Sequence, residues 1–235
     1  MFFEVLKNGA KAFGIELSEE KLQKFNMYKE LLKEWNKRIN LTSILDDDDI
    51  AIKHFVDSLS IWKYIEGGRA SLIDVGTGAG FPSIPVKIVR DDIDMVLLDS
   101  LDKRIKFLND VTDKLGLENI KAVHKRAEEL GVAPEYREKF DYATARAVAP
   151  LPTLLEYCLP FVKKGGLFIA MKGSNVHEID DSKNALKILG GEIVEINQFN
   201  LPDSDYKRNI IIIRKVYNTP SNYPRKAGKP SKIPL

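Results

Sequence analysis

The sequence predicts a Rossmann-like α/β fold: a seven-stranded, mostly parallel sheet with helices on both faces, preceded by an N-terminal helical cap. Two observations support this class. After residue 68, short apolar segments of strand length alternate with segments of helix length, which is typical of parallel sheets. Before residue 68, apolar residues recur instead at the spacing of an amphipathic helix.

The cap is predicted from an apolar stripe in residues 18–39. Its members lie three or four positions apart, as on one face of a helix: Leu22, Phe25, Tyr28, Leu32, Trp35 and Ile39. Ser18 precedes Glu19 and Glu20, and a hydroxyl followed by carboxylates favours a helix start. A second helix is expected to begin within residues 46–49 and to stop at Gly67. We therefore assign residues 1–68 to the cap.

Residues 69–217 are predicted to form the main domain. Its seven candidate strands are Ser71–Val75, Asp94–Asp99, Ile120–His124, Phe140–Ala145, Gly166–Lys172, Glu192–Phe199 and Asn209–Lys215. Candidate helices include Asp102–Leu115, Leu151–Val162 and Val176–Leu189. No helix-length segment separates the last two strands, so we expect them to form an antiparallel hairpin. Residues 218–235 contain four prolines and are expected to be a tail that is ordered only partly, or only on a partner.

Composition excludes several protein classes. With 235 residues, 44% of them hydrophobic, the chain can bury one substantial core. No apolar run approaches the ~20 residues of a membrane span, and the first residues lack the apolar stretch of a signal peptide. Cys158 is the only cysteine, which excludes an internal disulfide and fits a reducing compartment. We expect a cytoplasmic protein with no membrane partner.

The charge is distributed unevenly along the chain. From Lys207 onward there are eight basic residues and no acidic ones, whereas the preceding part carries 28 basic and 34 acidic residues, a net charge of −6. A basic end on an acidic body predicts an anionic macromolecular partner. A solubilising tail explains the same charge equally well.

The strongest local motif is the segment Asp74–Pro82, in which glycines stand at every second position after an apolar strand. Such glycines permit a tight turn and close approach of a ligand, and N–H groups at a helix start favour an anion. The dinucleotide fingerprint would place its third glycine at position 81, which is Phe81. The segment instead resembles motif I of class I methyltransferases, in which the loop holds the methionine part of S-adenosylmethionine and Asp74 would lie near its ammonium group.

A second acidic residue supports a nucleoside cofactor. Asp99 ends the next apolar strand, and its carboxylate could accept hydrogen bonds from a ribose diol. Dehydrogenases use an acid at about the same place, so Asp99 supports a nucleoside without choosing which one.

The absence of certain motifs limits the reactions that the protein could catalyse. Methylation of adenine or cytosine amino groups typically brings an Asn/Asp-Pro-Pro-aromatic motif after the fourth strand, and residues 145–150 do not contain it. Methylation at pyrimidine carbon 5 needs a thiolate, but Cys158 lies in an apolar helix and is interpreted as a core residue. His54, His124 and His177 are far apart in sequence, so we expect no metal site. Guanine N7 already carries a lone pair, and its methylation requires alignment more than a base.

Several segments, in order, resemble the GidB family of small-subunit rRNA (guanine-N7)-methyltransferases. They are residues 34–42, 53–59, 74–82, 98–104, 126–128, 144–147, 208–210 and 223–226. The resemblance implies the class I S-adenosylmethionine-dependent methyltransferase fold, with methylation of N7 of a guanosine in the decoding-region loop of 16S rRNA. The RNA or the small ribosomal subunit would be the partner, and we expect a monomer.

The resemblance also implies a set of functional residues. Contacts to S-adenosylmethionine would come from Asp74, Gly76, Gly78, Gly80, Phe81, Asp99, Ser100, Ala127, Glu128 and Arg146. RNA contacts would come from Arg38, Asn40, His54, Lys103, Arg104, Arg126, Lys172, Arg225 and Lys226, with Glu128 expected to accept from the adenine amino group. No residue is assigned as catalytic; His54, Asp57 and Arg146 are candidates for positioning the acceptor.

Two questions remain open in the sequence. His54 and Asp57 share a helix face and could form a polar wall that positions guanine, or a hydrogen-bonded pair that holds the cap to the sheet. The function could also be that of a small-molecule methyltransferase, a nicotinamide-dependent oxidoreductase or a non-catalytic RNA-binding module, because a fold does not fix a function.

Overall fold

The computed structural model describes residues 1–173 and 178–235. Within them, one seven-stranded sheet has the order β3-β2-β1-β4-β5-β7-β6. Its strands are β1 Ala70–Val75, β2 Ile93–Asp99, β3 Ile120–His124, β4 Phe140–Arg146, β5 Val162–Lys172, β6 Gly191–Asn200 and β7 Lys207–Lys215. Strands β1–β5 pair in parallel, and β7 pairs antiparallel with both β5 and β6. The predicted sheet and its terminal hairpin are confirmed.

The helices of the cap follow the predicted pattern. They are α1 Phe2–Ala12, α2 Glu19–Asn36, α3 Asp47–Ile50, a π-helical segment Ala51–Val56, α4 Asp57–Leu59 and a 3₁₀ turn Trp62–Tyr64. The Ser18 hydroxyl caps α2 by accepting from Lys21 N at 3.3 Å. Asp46 caps α3 by accepting from two amides, each at 3.0 Å. The acidic run therefore begins a helix, as the sequence indicated.

The main domain adds shorter helices than expected. They are α5 Ser83–Val89, α6 Asp102–Lys114, α7 Ala127–Leu130, α8 Leu151–Cys158, a 3₁₀ turn Leu159–Phe161, α9 Glu178–Asp181, α10 Lys183–Leu189 and α11 Lys229–Lys232. The helix predicted for Leu151–Val162 ends at Cys158, close to Pro160, which lacks an amide donor. The one predicted for Val176–Leu189 is divided at Ser182, and its residues 176 and 177 lie outside the described residues.

Apolar side chains form clusters on the two faces of the sheet. Leu97 belongs to a cluster that includes Phe25 and Phe55 of the cap, whereas its neighbours Val96 and Leu98 belong to a cluster with Cys158. Adjacent strand residues face opposite sides, so helices cover both faces. Because the cap packs in the same cluster as α5 and α6, the core does not divide at residue 68.

Two further features bear on the sequence analysis. Cys158 is fully buried, and burial raises the pKa of its thiol well above the ordinary value, which confirms it as a core residue. Residues 218–235 are packed, with Thr219, Pro224 and Pro230 buried; the expectation of a partly ordered tail was wrong. In the two described ranges, no helix has both the length and the apolar composition that crossing a membrane requires.

Candidate active site

The predicted site residues meet at the carboxyl edge of the parallel strands. Asp74 pairs in register with Thr144 of β4, and Asp99 with His124 of β3, so the loops after β1, β2, β3 and β4 emerge side by side. The chain order reverses between β1 and β4, and ligands of open α/β sheets bind where the order reverses. The fold thus brings the glycine loop, Asp99, α7 and Arg146 to one place.

The glycine loop has a shape that side chains would block. A Cβ at Gly76 would lie 2.8 Å from a Val148 methyl, and a Cβ at Gly80 would lie 2.7 Å from the Tyr28 hydroxyl. At Gly78, with φ +61°, a Cβ would enter open space, where its nearest neighbour is Gly76 O at 4.0 Å. Gly76 and Gly80 are therefore required by packing. The open space beside Gly78 is called the cradle below.

Four amides of the glycine loop are engaged within the fold. Those of Gly76 and Thr77 donate to Leu98 O at 2.8 and 3.1 Å. Those of Gly80 and Phe81 donate to Thr77 O, so these four amides are not free to bind an anion. Their hydrogen bonds fix the shape of the turn instead.

Asp74 lies beneath the loop, where it is fully buried. Its Oδ2 accepts from the Thr77 hydroxyl at 2.8 Å, and burial raises the pKa of the carboxyl to about 7. Asp74 therefore supports the turn from below; its contact with an ammonium group stays a prediction.

The carboxylate of Asp99 accepts hydrogen bonds from three other residues, and Asp99 is only 2% exposed. Its Oδ2 accepts from Gly78 N at 2.9 Å and from Arg104 Nη1 at 3.2 Å, and its Oδ1 accepts from Leu101 N at 2.9 Å. Arg104 was expected to bind phosphate; in the fold it pairs with Asp99 at 3.2 Å, and its contact with RNA stays a prediction. Ser100 is exposed, and its carbonyl lies 3.0 Å from His124 Nε2.

Ala127 and Glu128 begin α7, directly after β3. Lys125 N donates to the backbone carbonyl of Asp99 at 3.2 Å, so this turn starts beside the end of β2. Glu128 is 8% exposed, and its Oε1 accepts from Gly228 N at 2.8 Å. The sequence did not predict this contact with the C-terminal segment. The contact of Glu128 with an adenine amino group stays a prediction.

Charged groups from the cap and from two strands of the sheet meet at Asp57. Arg146 Nη1 donates to Asp57 Oδ2 at 3.0 Å, and Arg208 Nε donates to Asp57 Oδ1 at 2.9 Å. The Asp57 side chain is 5% exposed, and each of its oxygens has an arginine partner. Sequence reasoning did not assign Arg208 to the site. The segment of Arg208 did match the family, and this arginine stands just before the apolar part of a strand.

His54 lies against the loop and the same arginine. Its ring stacks on Phe81 with centroids 4.5 Å apart, and Arg146 lies 4.9 Å from the Phe81 centroid. Arg146 Nη2 is 3.3 Å from His54 Nδ1, and His54 Nε2 is 2.8 Å from the Thr42 hydroxyl. Since arginine can only donate, Nδ1 accepts and Nε2 carries the proton. Burial, and secondly Arg146, lower the pKa of His54 to about 3, so the ring is neutral at physiological pH.

These groups line a pocket of about 450 Å³. Its remaining walls include Lys53, Met171, Lys172, Glu178 and Asn209. Lys172 was expected to bind phosphate, but its side chain is 10% exposed and pairs with Glu178 at 2.7 Å. The volume falls within the range of ligand pockets. Lys53 and Glu178 are pocket residues that sequence reasoning missed, although Lys53 begins one of the segments that resemble the family.

Most of the other RNA candidates lie at the surface. Arg38, Asn40, Lys103, Arg126 and Lys226 are all exposed. Arg225 is a correction, because its guanidinium pairs with Glu156, whose side chain is 1% exposed. It is an internal anchor and not a phosphate contact.

The residues present fit a sulfonium nucleoside. The open cradle at Gly78 accommodates a ligand that approaches the backbone, and Asp99 and Glu128 offer acceptors on the nucleoside side. A pyrophosphate is less suited, because the loop amides that would bind it are used internally. Within the described ranges, no group of three or more acidic, histidine or cysteine side chains is placed to hold a metal.

Comparisons with known proteins agree with this geometry. The model of the GidB family, described as rRNA small subunit methyltransferase G, matches residues 21–211. A relative from Acetivibrio thermocellus named ribosomal RNA small subunit methyltransferase G is 60% identical, covering 99% of this chain and 96% of the relative. One of the same name from Clostridium perfringens is 49% identical, covering 100% and 99%.

Among solved structures, a SAM-dependent methyltransferase from Aquifex aeolicus aligns with a TM-score of 0.54 at 15% identity, covering 72% of this chain and 94% of that one. This similarity supports the fold, which is that of class I S-adenosylmethionine-dependent methyltransferases. The match of the family model and the identity to full-length relatives lead to one conclusion: this chain belongs to the GidB family.

Proposed function

We propose that this protein transfers the methyl group of S-adenosylmethionine to N7 of a guanosine in the decoding-region loop of 16S rRNA. The observation that carries the proposal is a base-sized pocket beside the glycine loop, in which His54 is held neutral with Nδ1 as an acceptor. The family and the names of its relatives support the RNA substrate.

The chemistry of N7 suits this pocket. When bound, S-adenosylmethionine supplies a methyl group activated by the positive sulfur. Guanine N7 has an in-plane lone pair and no proton to remove, so the protein needs no base. With its pKa at about 3, His54 is a poor base, and Asp57 is engaged by two arginines. Such a pocket can orient an acceptor, and positioning alone can supply about 7–11 kcal/mol of the barrier.

The proposed roles divide between two sets of residues. Gly76, Gly78, Gly80, Phe81, Asp99, Ala127 and Glu128 hold the cofactor. The guanine is oriented by His54, Asp57, Arg146 and Arg208. The charges of the aspartate and the two arginines exclude a purely apolar ligand. Phe81 contacts both sets of residues. Its backbone belongs to the glycine loop, and the ring of His54 stacks on its side chain.

The RNA is proposed to bind across the exposed basic residues Arg38, Lys103, Arg126 and Lys226, together with Asn40. Contacts to phosphates release counterions, so the affinity for RNA should fall steeply as salt concentration rises. We propose that the protein acts in the cytoplasm, as a monomer, on the small ribosomal subunit or its RNA.

Mapping N7-methylguanosine in 16S rRNA from cells with and without this protein tests the proposal. We expect one modified position to disappear when the protein is absent, and an unchanged map would reject the substrate. Calorimetric titration with S-adenosylmethionine and with NAD tests the cofactor separately, because binding of NAD alone would point to an oxidoreductase.

A further inference from the structure

We propose that the C-terminal segment 219–233, called the strap below, is a positioning element of the cofactor site. By holding Glu128 and α7 in place, the strap sets the affinity for the adenine end of S-adenosylmethionine. This inference rests on the proposed function only in taking the cofactor and the place of its adenine from it.

The element that needs support is α7. It comprises only Ala127–Leu130, and a single helical turn is unstable without tertiary contacts. It is also the wall that carries Ala127 and Glu128. The position of these residues must therefore be fixed by whatever packs on the turn.

The strap provides that packing at two points. Gly228 N donates to Glu128 Oε1 at 2.8 Å, which orients the carboxylate. Pro224 packs beside Gly131, which follows α7; a Cβ at Gly131 would lie 3.1 Å from Pro224 Cγ. Gly228 has φ +80°, a conformation that is strained for residues with a side chain, so the turn that presents its amide depends on glycine.

The strap is itself held firmly on the fold. Arg225 Nε lies 2.9 and 3.0 Å from the two Glu156 oxygens, and Arg225 Nη2 lies 2.6 Å from Oε2. Glu156 also accepts from Arg225 N at 2.7 Å and belongs to α8. This buried ion pair fixes the strap three residues before Gly228.

Arg137 forms a second anchor. Its Nη1 donates to Gly131 O at 2.9 Å and to Tyr223 O at 2.8 Å, and its Nη2 donates to Thr219 O at 2.7 Å. One guanidinium thus joins the end of α7 directly to the strap. Both anchors lead to the same wall of the cofactor site.

The strap's inner contacts are distinct from its outer charges. Arg225 is internal, whereas Lys226, Lys229 and Lys232 are exposed. An RNA-binding tail would depend on the lysines, and a positioning strap depends on Arg225 and Gly228. The two roles can therefore be separated by substitution.

The test compares Arg225→Gln and Gly228→Ala with Lys229→Gln as the matched control. Lys229→Gln removes a charge from the strap and leaves both anchors intact. Titration calorimetry with S-adenosylhomocysteine should show Kd raised about tenfold for Arg225→Gln, from loss of hydrogen bonds between charged groups. For Gly228→Ala we expect about fivefold, and for Lys229→Gln no change.

Hydrogen exchange of the cofactor-free proteins gives an independent readout. The amides of Leu130 and Gly131, which donate to Arg126 O and Ala127 O, should exchange faster in Gly228→Ala and not in Lys229→Gln. If Arg225→Gln fails to fold, Gly228→Ala decides the question. A wild-type protein that binds no S-adenosylhomocysteine would contradict the proposed function; a wild type that binds it with the same affinity as a folded Gly228→Ala would overturn the strap's role.

Discussion

The cofactor half and the acceptor half of the active site are built in different ways. The cofactor half consists of backbone: a glycine turn whose amides bond to Leu98 O and Thr77 O, with Asp99 binding two further amides. The acceptor half consists of charged side chains from three distant segments, joined at Asp57. One half is therefore determined by local sequence, and the other exists only once the cap and the sheet have come together.

This difference has an energetic consequence. Hydrogen bonds between backbone groups survive most side-chain substitutions, whereas removing one member of a buried ion pair leaves its partners uncompensated. In the acceptor half, Asp57 is the single anion shared by Arg146 and Arg208. We therefore expect the acceptor half to be more sensitive to conservative substitutions than the glycine turn.

The largest effect is expected at Asp99, whose side chain accepts hydrogen bonds from the backbone of the cofactor half. Asp99→Ala removes the acceptor of Gly78 N, Leu101 N and Arg104, in addition to the proposed ribose contact. Several hydrogen bonds to a charged group, each worth about 1.5–3 kcal/mol, are lost together. The Kd for S-adenosylmethionine should rise about 1000-fold in calorimetry, and methylation should be lost.

The affinity for RNA separates this prediction from general unfolding. Asp99→Ala should bind rRNA within about twofold of the wild type, because Asp99 is buried and is not among the residues proposed to contact RNA. Asp102→Ala, at an exposed acid that pairs with Lys106 on the surface, is the matched control and should change neither binding constant. Loss of RNA binding in Asp99→Ala would show that the two halves are not independent.

In the acceptor half, Asp57→Ala should lower kcat/KM for rRNA about 100-fold, because a small displacement of positioning groups has effects of this order. Arg146 and Arg208 would lose their shared acceptor, although both retain some exposure. The Kd for S-adenosylmethionine should change less than about threefold. Steady-state kinetics and calorimetry measure the two quantities separately.

Asp57→Asn makes the comparison sharper. It keeps the shape and one acceptor oxygen but removes the charge, so activity close to that of the wild type would mean that geometry alone matters. We expect it to lose most of the activity. A large rise in the Kd for S-adenosylmethionine in either variant would contradict the division into two halves.

The same division explains how much could be predicted from the sequence. The strands, the glycine turn and Asp99 follow from periodicity and spacing, which are local properties. Arg208 and Glu178 could not be found in this way, because they reach the pocket only through the order of the sheet. Lys172 and Arg104 were predicted to bind phosphate. A sequence shows that a residue is charged, but it does not show which acid pairs with that residue in the fold.

The C-terminal segment shows the same limit. Its basic residues and prolines predicted an extended tail, and yet Arg225, Arg208 and Lys215 each pair with an acid. Those acids, Glu156, Asp57 and Glu138, lie far away in the sequence. A net charge counted along the chain therefore overestimates what is available to an external partner.

A smaller effect is expected from filling the cradle. Gly78→Ala should raise the Kd for S-adenosylmethionine about tenfold, because the added methyl group enters the space beside the loop. Gly116→Ala is the matched control: Gly116 has φ +60° and no atom within 4 Å of a built Cβ, so it suffers the same backbone strain outside the site. Both variants should lose roughly 1–2 kcal/mol of stability, and equal cofactor affinities would show that the cradle is not the binding surface.

In the wild type, the smallest effect is expected on the pH dependence of stability, because the contributions of the two halves have opposite signs and largely cancel. Burial raises the pKa of Asp74 to about 7, so between about pH 4 and 7 the folded protein binds a proton that the unfolded chain does not, and stability falls as pH rises. Burial lowers the pKa of His54 to about 3, so below about pH 6.5 the unfolded chain binds the extra proton, and stability falls as pH falls.

In the shared window, from about pH 4 to 6.5, the two slopes oppose each other, and each amounts to at most about 1.4 kcal/mol per pH unit. Relative to the wild type, Asp74→Asn should therefore gain stability as pH rises through this window, and His54→Gln should lose it. Urea unfolding at pH 4.5, 5.5 and 6.5 measures both differences. Because Asp74 supports the turn and His54 faces the pocket, profiles parallel to the wild type in both variants would show that neither group is buried as the fold places it.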